Sequence, residues 1–256
     1  MCKLKKNLEV KQLNKIYSID GNRFCHVLKN IDLEINEGEF VSVMGPSGSG
    51  KSTLLYNISG MDRMTSGSVI VASKDISFMN EESLAKLRLS EMGFIFQQSN
   101  LLRNLNLFDN IVLPAYLAKV ESRKIINKRA LELMKKTGIS QIATNNITEA
   151  SGGQLQRVSI CRALINKPNI IFADEPTGAL NLKATEEVMN ILANINRTGT
   201  TIMLVTHDVK VAAKTERVLF MVDGEIVSEI RMGKYRNNDL KEREEKLLKW
   251  LTEMGF

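Results

Sequence analysis

The hydrophobic pattern near the N-terminus has a period of two. Apolar and polar side chains alternate over residues 8–13 and again over residues 27–35, which predicts two half-exposed β-strands. Asp223-Gly224 separates two further apolar runs and predicts a β-hairpin. Other strand-like runs are short and mainly apolar: residues 41–44, 67–71, 93–96, 169–173 and 201–205. Runs of this kind are typical of strands that helices cover on both faces.

Apolar residues recur at helical spacing between these strands. Helices are predicted from about residue 52, over residues 81–87, over residues 155–166 and around residues 188–195. Residues 105–145 also have a helical pattern, in which Gly138 is a residue of the kind that ends a helix. We interpret residues from about 99 to 165 as an inserted helical lobe.

The C-terminal residues 233–256 are predicted to form an amphipathic helical tail. Leu240, Leu247 and Leu251 recur there at helical spacing. The apolar face of this helix either packs on its own domain or contacts a second subunit, and the pattern leaves both possibilities open.

Composition narrows the class of protein. The 256 residues are 43% hydrophobic, which supports a full core, and they carry a formal charge of +6. The basic residues are spread along the chain, which favours a solvated surface, so we expect no nucleic-acid partner. No apolar run approaches the roughly 18 residues that span a bilayer, and no signal-peptide core follows the basic start. We therefore expect that the chain does not cross a membrane by itself.

The three cysteines indicate a reducing environment. Cys2, Cys25 and Cys161 are far apart and lack the short Cys/His spacings of zinc sites. We expect neither a disulfide nor a zinc ion, and reduced thiols as in a cytosolic protein.

A glycine-rich turn between the strand at 41–44 and the next helix carries the strongest chemical signal. It consists of Gly45, Pro46, Ser47, Gly48, Ser49, Gly50, Lys51, Ser52 and Thr53. The glycines let backbone N–H groups approach an anion, and the following helix points its positive end at the same place. In the pattern G-x-x-x-x-G-K-[ST], the lysine reaches the β- and γ-phosphates and the hydroxyl ligates Mg²⁺. The sequence therefore predicts a site for a nucleoside triphosphate.

Polar side chains follow three of the buried strands where each strand ends. They are Gln97, the pair Asp174 and Glu175, and His207. In open α/β sheets the carboxyl ends of the strands line the ligand crevice. A magnesium triphosphate requires a carboxylate near the metal and a base for the attacking water, and Asp174 and Glu175 are suited to these two tasks. At such a strand end His207 can meet the γ-phosphate.

Two further features fit a nucleotide. Ser151-Gly152-Gly153-Gln154 is a small-residue turn that opens a helix, and its backbone amides form a second candidate anion site. Tyr17 is predicted in a polar loop with Asp20, Gly21 and Asn22, where it either stacks on a purine or is an ordinary loop tyrosine.

The separated motifs, taken in order, resemble those of ATP-binding-cassette (ABC) ATPases over nearly the whole chain. Residues 93–102 and 173–180 look most like one branch, the ATPase subunits of macrolide-export, lipoprotein-release and antimicrobial-peptide-export transporters. The resemblance implies an α/β fold, an ABC-type P-loop NTPase with a RecA-like core, an N-terminal antiparallel β subdomain and an inserted α-helical subdomain. We place this ATPase domain at residues 1–232.

The resemblance also implies the roles of the residues that hold ATP and Mg²⁺. Tyr17 would stack on adenine, and Lys51 would hold phosphate together with the loop amides and assist catalysis. Ser52 and Gln97 would ligate Mg²⁺, and Asp174 would support the metal through water.

The catalytic roles and the partners follow from the same resemblance. Glu175 would be the catalytic base and His207 would contact the γ-phosphate. Two copies would form a head-to-tail dimer around two ATP molecules, with the turn of residues 151–154 completing the partner's site. A separate membrane permease subunit would receive the motion at the cytoplasmic face of the membrane, so that hydrolysis drives export.

Two positions depart from the family pattern. Ala150 stands where leucine is usual, and Asn181 stands where aspartate is usual. We expect altered dimer affinity from Ala150, and weaker communication between the two ATP sites from Asn181. Two alternatives therefore remain, a nucleotide-gated regulatory clamp with little turnover, and a soluble ABC protein that acts on the ribosome or DNA.

Overall fold

The computed structural model describes residues 5–236 and 239–255. In chain order the strands are β1 (Lys6–Ser18), β2 (Phe24–Asn36), β3 (Phe40–Met44), β4 (Ser66–Val71), β5 (Lys74–Asp75), β6 (Met92–Phe96), β7 (Ile170–Asp174), β8 (Thr201–Val205), β9 (Arg217–Val222) and β10 (Glu225–Arg231). The helices are α1 (Lys51–Ile58), α2 (Glu81–Glu91), α3 (Leu107–Ala118), α4 (Arg123–Lys136), α5 (Gly152–Leu164), α6 (Leu182–Arg197), α7 (Val209–Ala212) and α8 (Leu240–Glu253). None of the described helices has the length and apolar character that crossing a membrane requires.

A six-stranded sheet forms the centre, in the order β10-β9-β3-β8-β7-β6. Its neighbours from β9 to β6 are parallel, and only β10 runs antiparallel. Every residue of β3, β7 and β8 is buried, as their continuous apolar pattern predicted. The register pairs Phe96 with Asp174 and Asp174 with Val205. The residues that follow these strands therefore meet at one edge of the sheet.

A second, antiparallel sheet in the order β2-β1-β4-β5 lies on the other side of α1. Its inward residues share one hydrophobic cluster with Leu54, Leu55 and Ile58 of α1 and with the near face of the central sheet. The helix that follows the phosphate loop is thus packed between the two sheets. Its axis is fixed by apolar contacts along both sides.

Strand β1 extends further than the alternating pattern predicted. Tyr17 pairs with Cys25 of β2 and belongs to the strand, so its assignment to a polar loop was wrong. The pattern failed because both strands become exposed towards this end, and paired backbone groups rather than buried side chains continue the ladder there.

The helical lobe contains α3, α4 and two short 3₁₀ turns, Ser140–Ile142 and Ile147–Glu149. Gly138 follows the end of α4 with φ of 69°, which confirms it as the residue that ends this helix. Helix α5 belongs to both parts of the molecule. Val158 and Cys161 pack into the lobe, whereas Ile160 and Ala163 pack against the central sheet. Helix α5 therefore contributes to the packing of both the lobe and the core.

Helix α8 packs on its own domain. Leu247 and Leu251 are buried in a cluster with Met44 and Phe220 of the central sheet. The guanidinium of Arg243 is buried as well and donates hydrogen bonds to the backbone carbonyls of Ala213, Thr215, Met232 and Gly233. These contacts support the first of the two interpretations of the C-terminal tail, although the boundary at residue 232 stays a prediction.

Truncation of Leu247 tests this packing. Leu247→Ala leaves a cavity in a fully buried cluster, so we expect a loss of about 2–5 kcal/mol in the free energy of unfolding, measured by denaturant titration. Leu248→Ala is the matched control. Leu248 is adjacent in sequence but 51% exposed, so its truncation should change the free energy of unfolding by less than about 0.5 kcal/mol. Equal effects at the two positions would contradict the docked tail.

Candidate active site

The phosphate loop lies between β3 and α1 and is held in place by the β9–β10 hairpin. Gly45 has φ of 147°, and a Cβ atom there would lie 2.0 Å from the carbonyl oxygen of Met221. The Gly224 N–H of the hairpin turn donates to the Ser49 carbonyl oxygen at 3.1 Å. Both turn residues, Asp223 and Gly224, have positive φ, which confirms the predicted hairpin. The loop therefore has little freedom to change its shape.

Lys51 begins α1 and lies within the loop. Its ammonium donates to the carbonyl oxygens of Gly45 at 2.9 Å and Pro46 at 2.8 Å. Burial lowers the pKa of Lys51, while the nearby carboxylates of Glu175 and Asp174 act in the opposite direction. The residue before the helix is a glycine, which offers no side chain to cap the first N–H groups. The loop can thus present a cation and backbone donors to a phosphate.

Asp174, the last residue of β7, receives two hydrogen bonds from α1. The Ser52 hydroxyl donates to Oδ1 at 2.9 Å, and the Tyr56 phenol donates to Oδ2 at 2.7 Å. Burial and the contact with Asp174 raise the pKa of Tyr56 to about 12, so the phenol stays a donor at neutral pH. Sequence reasoning missed Tyr56. Its spacing of four residues from Ser52, on the same helix face, was the available signal.

Glu175 and His207 lie side by side at the ends of β7 and β8. The Nδ1 atom of His207 is 3.0 Å from Oε1 of Glu175. The Glu175 side chain is only 19% exposed, whereas that of His207 is 69% exposed. Glu175 has φ of 47°, in the left-handed region, and its N–H donates to the Val205 carbonyl oxygen at 3.1 Å. This arrangement provides a carboxylate whose direction is fixed by both backbone and imidazole, as a general base requires.

Gln97 follows β6 directly and lies against the segment after Glu175. A Cβ atom on Gly178 would lie 2.9 Å from the amide nitrogen of Gln97, so this glycine makes room for the amide. The donor set predicted for Mg²⁺ consists of oxygen atoms of Ser52, Asp174 and Gln97, and of these the structure joins Ser52 to Asp174 by a hydrogen bond. Mg²⁺ prefers oxygen ligands and is commonly held by one or two carboxylates together with substrate phosphates, and the residues present fit that requirement.

Tyr17 lies on the antiparallel sheet beside α1. Its hydroxyl donates to Oδ2 of Asp62 at 2.6 Å, and Asp62 also accepts from Lys15 at 2.8 Å. The Lys15 ammonium lies 4.5 Å from the centre of the Tyr17 ring. Burial and Asp62 raise the pKa of Tyr17 to about 12, and the Thr53 hydroxyl lies close enough to lower it slightly. Lys15 and Asp62, which fix the orientation of the ring, were not singled out in the sequence.

The turn at Ser151 occupies a different part of the chain's surface. The Ser151 hydroxyl accepts from the Gln154 N–H at 3.4 Å, and the Gln154 side chain accepts from the Ser151 N–H at 2.8 Å. A Cβ atom on Gly153 would lie 3.0 Å from that of Ala184 at the start of α6. Among the described residues, these hydrogen bonds and close contacts stay within α5 and the start of α6. They do not join the turn to the phosphate loop of the same chain.

The two unusual positions are accommodated locally. Asn181 caps α6, since its side-chain oxygen accepts from the Ala184 N–H at 2.9 Å. Ala150 is partly buried against the apolar cluster of the helical lobe. Each residue thus has a structural partner.

Comparison with known proteins places this site in a family. The sequence profile of the ABC transporter family matches residues 28–178. The macrolide export ATP-binding/permease protein MacB of Mannheimia succiniciproducens is 44% identical over 231 residues, which cover 90% of this chain and 36% of MacB. The ABC transporter ATP-binding protein YxdL of Bacillus subtilis is 44% identical over 230 residues, covering 90% of this chain and 88% of YxdL. The chain spans about a third of the length of the MacB relatives that it matches.

A solved structure has the same fold. It is a dimeric post-hydrolysis state of the ATP-binding cassette MJ0796 bound to ADP and phosphate, a protein of Methanocaldococcus jannaschii. It superposes with a TM-score of 0.82 at 40% identity, covering 89% of this chain and all of that chain. The predicted α/β cassette fold is confirmed.

The alkylation rates of the two described cysteines test the surroundings of Tyr17. Cys25 is exposed and lies opposite Tyr17 in the β1–β2 pair, whereas burial raises the pKa of Cys161 to about 12. We expect iodoacetamide at pH 8 to alkylate Cys25 and to alkylate Cys161 at a rate at least about 100-fold lower, because the thiolate is the reactive form. Peptide mass spectrometry resolves the sites, and urea-unfolded protein serves as the control in which both react.

The same measurement with ADP tests the adenine role of Tyr17. Side chains directly opposite each other in an antiparallel pair are neighbours on one face, so adenine stacked on Tyr17 should slow the alkylation of Cys25. Tyr17→Ala should remove this protection. An ADP-independent rate at Cys25 in the native protein would contradict the stacking assignment.

Proposed function

The chain belongs to the ABC transporter family as an ATP-binding domain with ATPase chemistry, and from that premise we propose that it is the energy-supplying subunit of an exporter. The single observation that carries the proposal is the grouping of Lys51, Asp174, Glu175 and His207 around one edge of the parallel sheet. Hydrogen bonds join Asp174 to α1 and Glu175 to His207, so the metal side and the base side of the site are both supported.

In the proposed reaction the phosphate loop and Lys51 bind the β- and γ-phosphates. Bound Mg²⁺, held by Ser52 and Gln97 with Asp174 behind it, would neutralise phosphate charge. Glu175 orients a water molecule and takes its proton as the water oxygen bonds to the γ-phosphorus. The bond to the bridging oxygen then breaks and ADP leaves. His207 holds the Glu175 carboxylate in the required direction, and its exposed face can contact the γ-phosphate.

A second copy completes each site in this proposal. Ser151 and Gly152 of this turn are exposed, Gln154 is partly buried and Gly153 is buried. The capping interactions of the turn involve the N–H groups of Ser151 and Gln154. The amides of Gly152 and Gly153 belong to the first turn of α5, where N–H groups lack partners within the helix. They are suited to bind the γ-phosphate of ATP on a second chain. The ATP-binding cassette MJ0796 is dimeric in its solved structures, which supports an assembly of two chains.

A groove between the core and the helical lobe is the proposed contact for a membrane subunit. It has a volume of about 400 Å³ and is lined by apolar side chains of both parts, including Ala85, Leu89, Phe94, Pro114 and Ala163. Arg162 of α5 donates to the carbonyl oxygens of Ser99 and Asn100 at its edge, both at 2.7 Å. A partner helix seated here would contact the segment after Gln97 and the helix that carries Ser151.

The names of the relatives support a proposed substrate class and location. MacB is named for macrolide export, and this chain corresponds to about a third of that protein. We propose a peptide, an antibiotic or a lipoprotein as the exported class, bound by the membrane subunit, with this chain on the cytoplasmic face. The regulatory-clamp alternative rested on Ala150 and Asn181, and each of these residues has a local structural partner.

Replacement of Glu175 tests the catalytic assignment. Glu175→Gln removes the proton acceptor but keeps the size of the side chain, so we expect hydrolysis by the complex to fall by about 10²–10⁴-fold. ATP binding should persist, and light scattering should show an ATP-dependent dimer. Glu245→Gln on the exposed face of α8 is the control and should hydrolyse ATP normally. ATP hydrolysis by E175Q at the rate of the unmodified protein would overturn the assignment of Glu175 as the base.

A second variant separates dimer formation from nucleotide binding. Ser151→Arg places a bulky cation on the exposed turn, so we expect loss of the ATP-dependent dimer and of hydrolysis, with nucleotide binding by the single chain unchanged. Ser122→Arg, at the exposed start of α4, provides the matched control and should keep the dimer. Normal dimer formation by S151R in light scattering would exclude this turn from the interface.

A further inference from the structure

Tyr56 makes a contact with the metal side of the site that none of the motifs accounts for. It lies on α1 four residues after Ser52, and both hydroxyl groups point at the same carboxylate. Ser52 donates to one oxygen of Asp174 and Tyr56 donates to the other, at 2.9 Å and 2.7 Å. Each oxygen of Asp174 therefore has its own donor from the same helix.

The two donors restrict the carboxylate strongly. Asp174 is 9% exposed and ends a strand in which every residue is buried, so its backbone and its surroundings are fixed. Rotation of the carboxylate plane would break one or both hydrogen bonds, and hydrogen bonds to ionised groups are the stronger kind. The oxygen that accepts from Ser52 is the one that lies beside a residue proposed to ligate the metal.

The base side of the site has a different arrangement. Glu175 receives its side-chain hydrogen bond from His207, two residues after the end of β8, whereas the donors to Asp174 come from α1. Among the side chains that the structure describes, the Tyr56 phenol donates to Asp174 and not to Glu175. Its effect should be confined to the metal and should not extend to proton transfer.

We propose that Tyr56 is a positioning residue, which holds Asp174 with one oxygen towards Ser52 and thereby sets the affinity of the site for Mg²⁺. The inference rests on the proposed function, because it requires that Ser52 and Asp174 serve the metal. Residues that orient a metal-supporting carboxylate typically change metal affinity by about 10–100-fold when they are replaced.

Tyr56 also packs against the central apolar cluster, so the test must separate its hydroxyl from its ring. Tyr56→Phe keeps the ring and removes only the donor. Tyr116→Phe is the matched control, since the Tyr116 phenol also donates to a side-chain oxygen, that of Asn127 at 2.5 Å, but lies in the helical lobe.

The measurement is binding of fluorescent ADP by the full chain, titrated with MgCl₂ and repeated in EDTA. ADP avoids turnover, so the readout does not depend on hydrolysis. We expect Y56F to raise the half-saturating Mg²⁺ concentration about tenfold, with ADP affinity in EDTA unchanged, while Y116F matches the unmodified protein. Tyr56→Met is measured in the same way if Y56F does not fold.

The outcomes distinguish this inference from the proposed function. An unchanged Mg²⁺ requirement in Y56F, or an equal loss of ADP affinity with and without Mg²⁺, overturns the positioning role and leaves the ATPase proposal intact. The same loss in Y116F also overturns it. If the unmodified protein binds ADP with the same affinity with and without Mg²⁺, the metal assignment is overturned, and this inference with it.

Discussion

The parallel register of the central sheet is the constraint on which the site depends. Because β6, β7 and β8 pair in parallel, Phe96, Asp174 and Val205 stand level with one another. The next residues along each strand are then neighbours in space, although they are far apart in the sequence. A shift by one residue in any pair would turn the following side chain to the other face of the sheet. The complete burial of β7 and β8 makes such a shift costly, so the core protects the geometry of the site.

Helix α5 links this rigid edge to the more independent helical lobe. It contributes side chains to both hydrophobic clusters, and the turn at Ser151 forms its first residues. Movement of the lobe must therefore either carry α5 along or break its packing on the sheet. The same helix reaches the apolar groove through Ala163 and holds the segment after Gln97 through Arg162. Binding of a partner in the groove and displacement of the Ser151 turn are thus connected through helix α5.

A structural feature could be predicted from the sequence when a few adjacent residues determine it. The phosphate loop and the β9–β10 hairpin were recognised because a few adjacent residues determine their backbone. The end of β1 was misplaced, since exposed strands lack the buried side chains that mark a strand. Tyr56 and the pair Lys15 and Asp62 were missed because their contacts join distant segments, 118 residues apart for Tyr56 and Asp174. Local patterning does not specify such contacts; the packing of α1 between the two sheets does.

The two adjacent carboxylates show how one peptide segment serves two tasks. Asp174 still belongs to β7, and its side chain faces α1. Glu175 has φ of 47°, a conformation that costs a residue with a side chain about 1–3 kcal/mol, and its side chain faces His207 instead. The hydrogen bond from its N–H to Val205 and the burial of Pro176 hold this strained backbone in place. A regular strand would turn Glu175 to the face opposite Asp174, whereas the turn at Glu175 directs its carboxylate to His207 beyond the neighbouring strand end. The buried sheet thus stabilises a backbone conformation in which Asp174 contacts α1 and Glu175 contacts His207, while both carboxylates remain near Lys51.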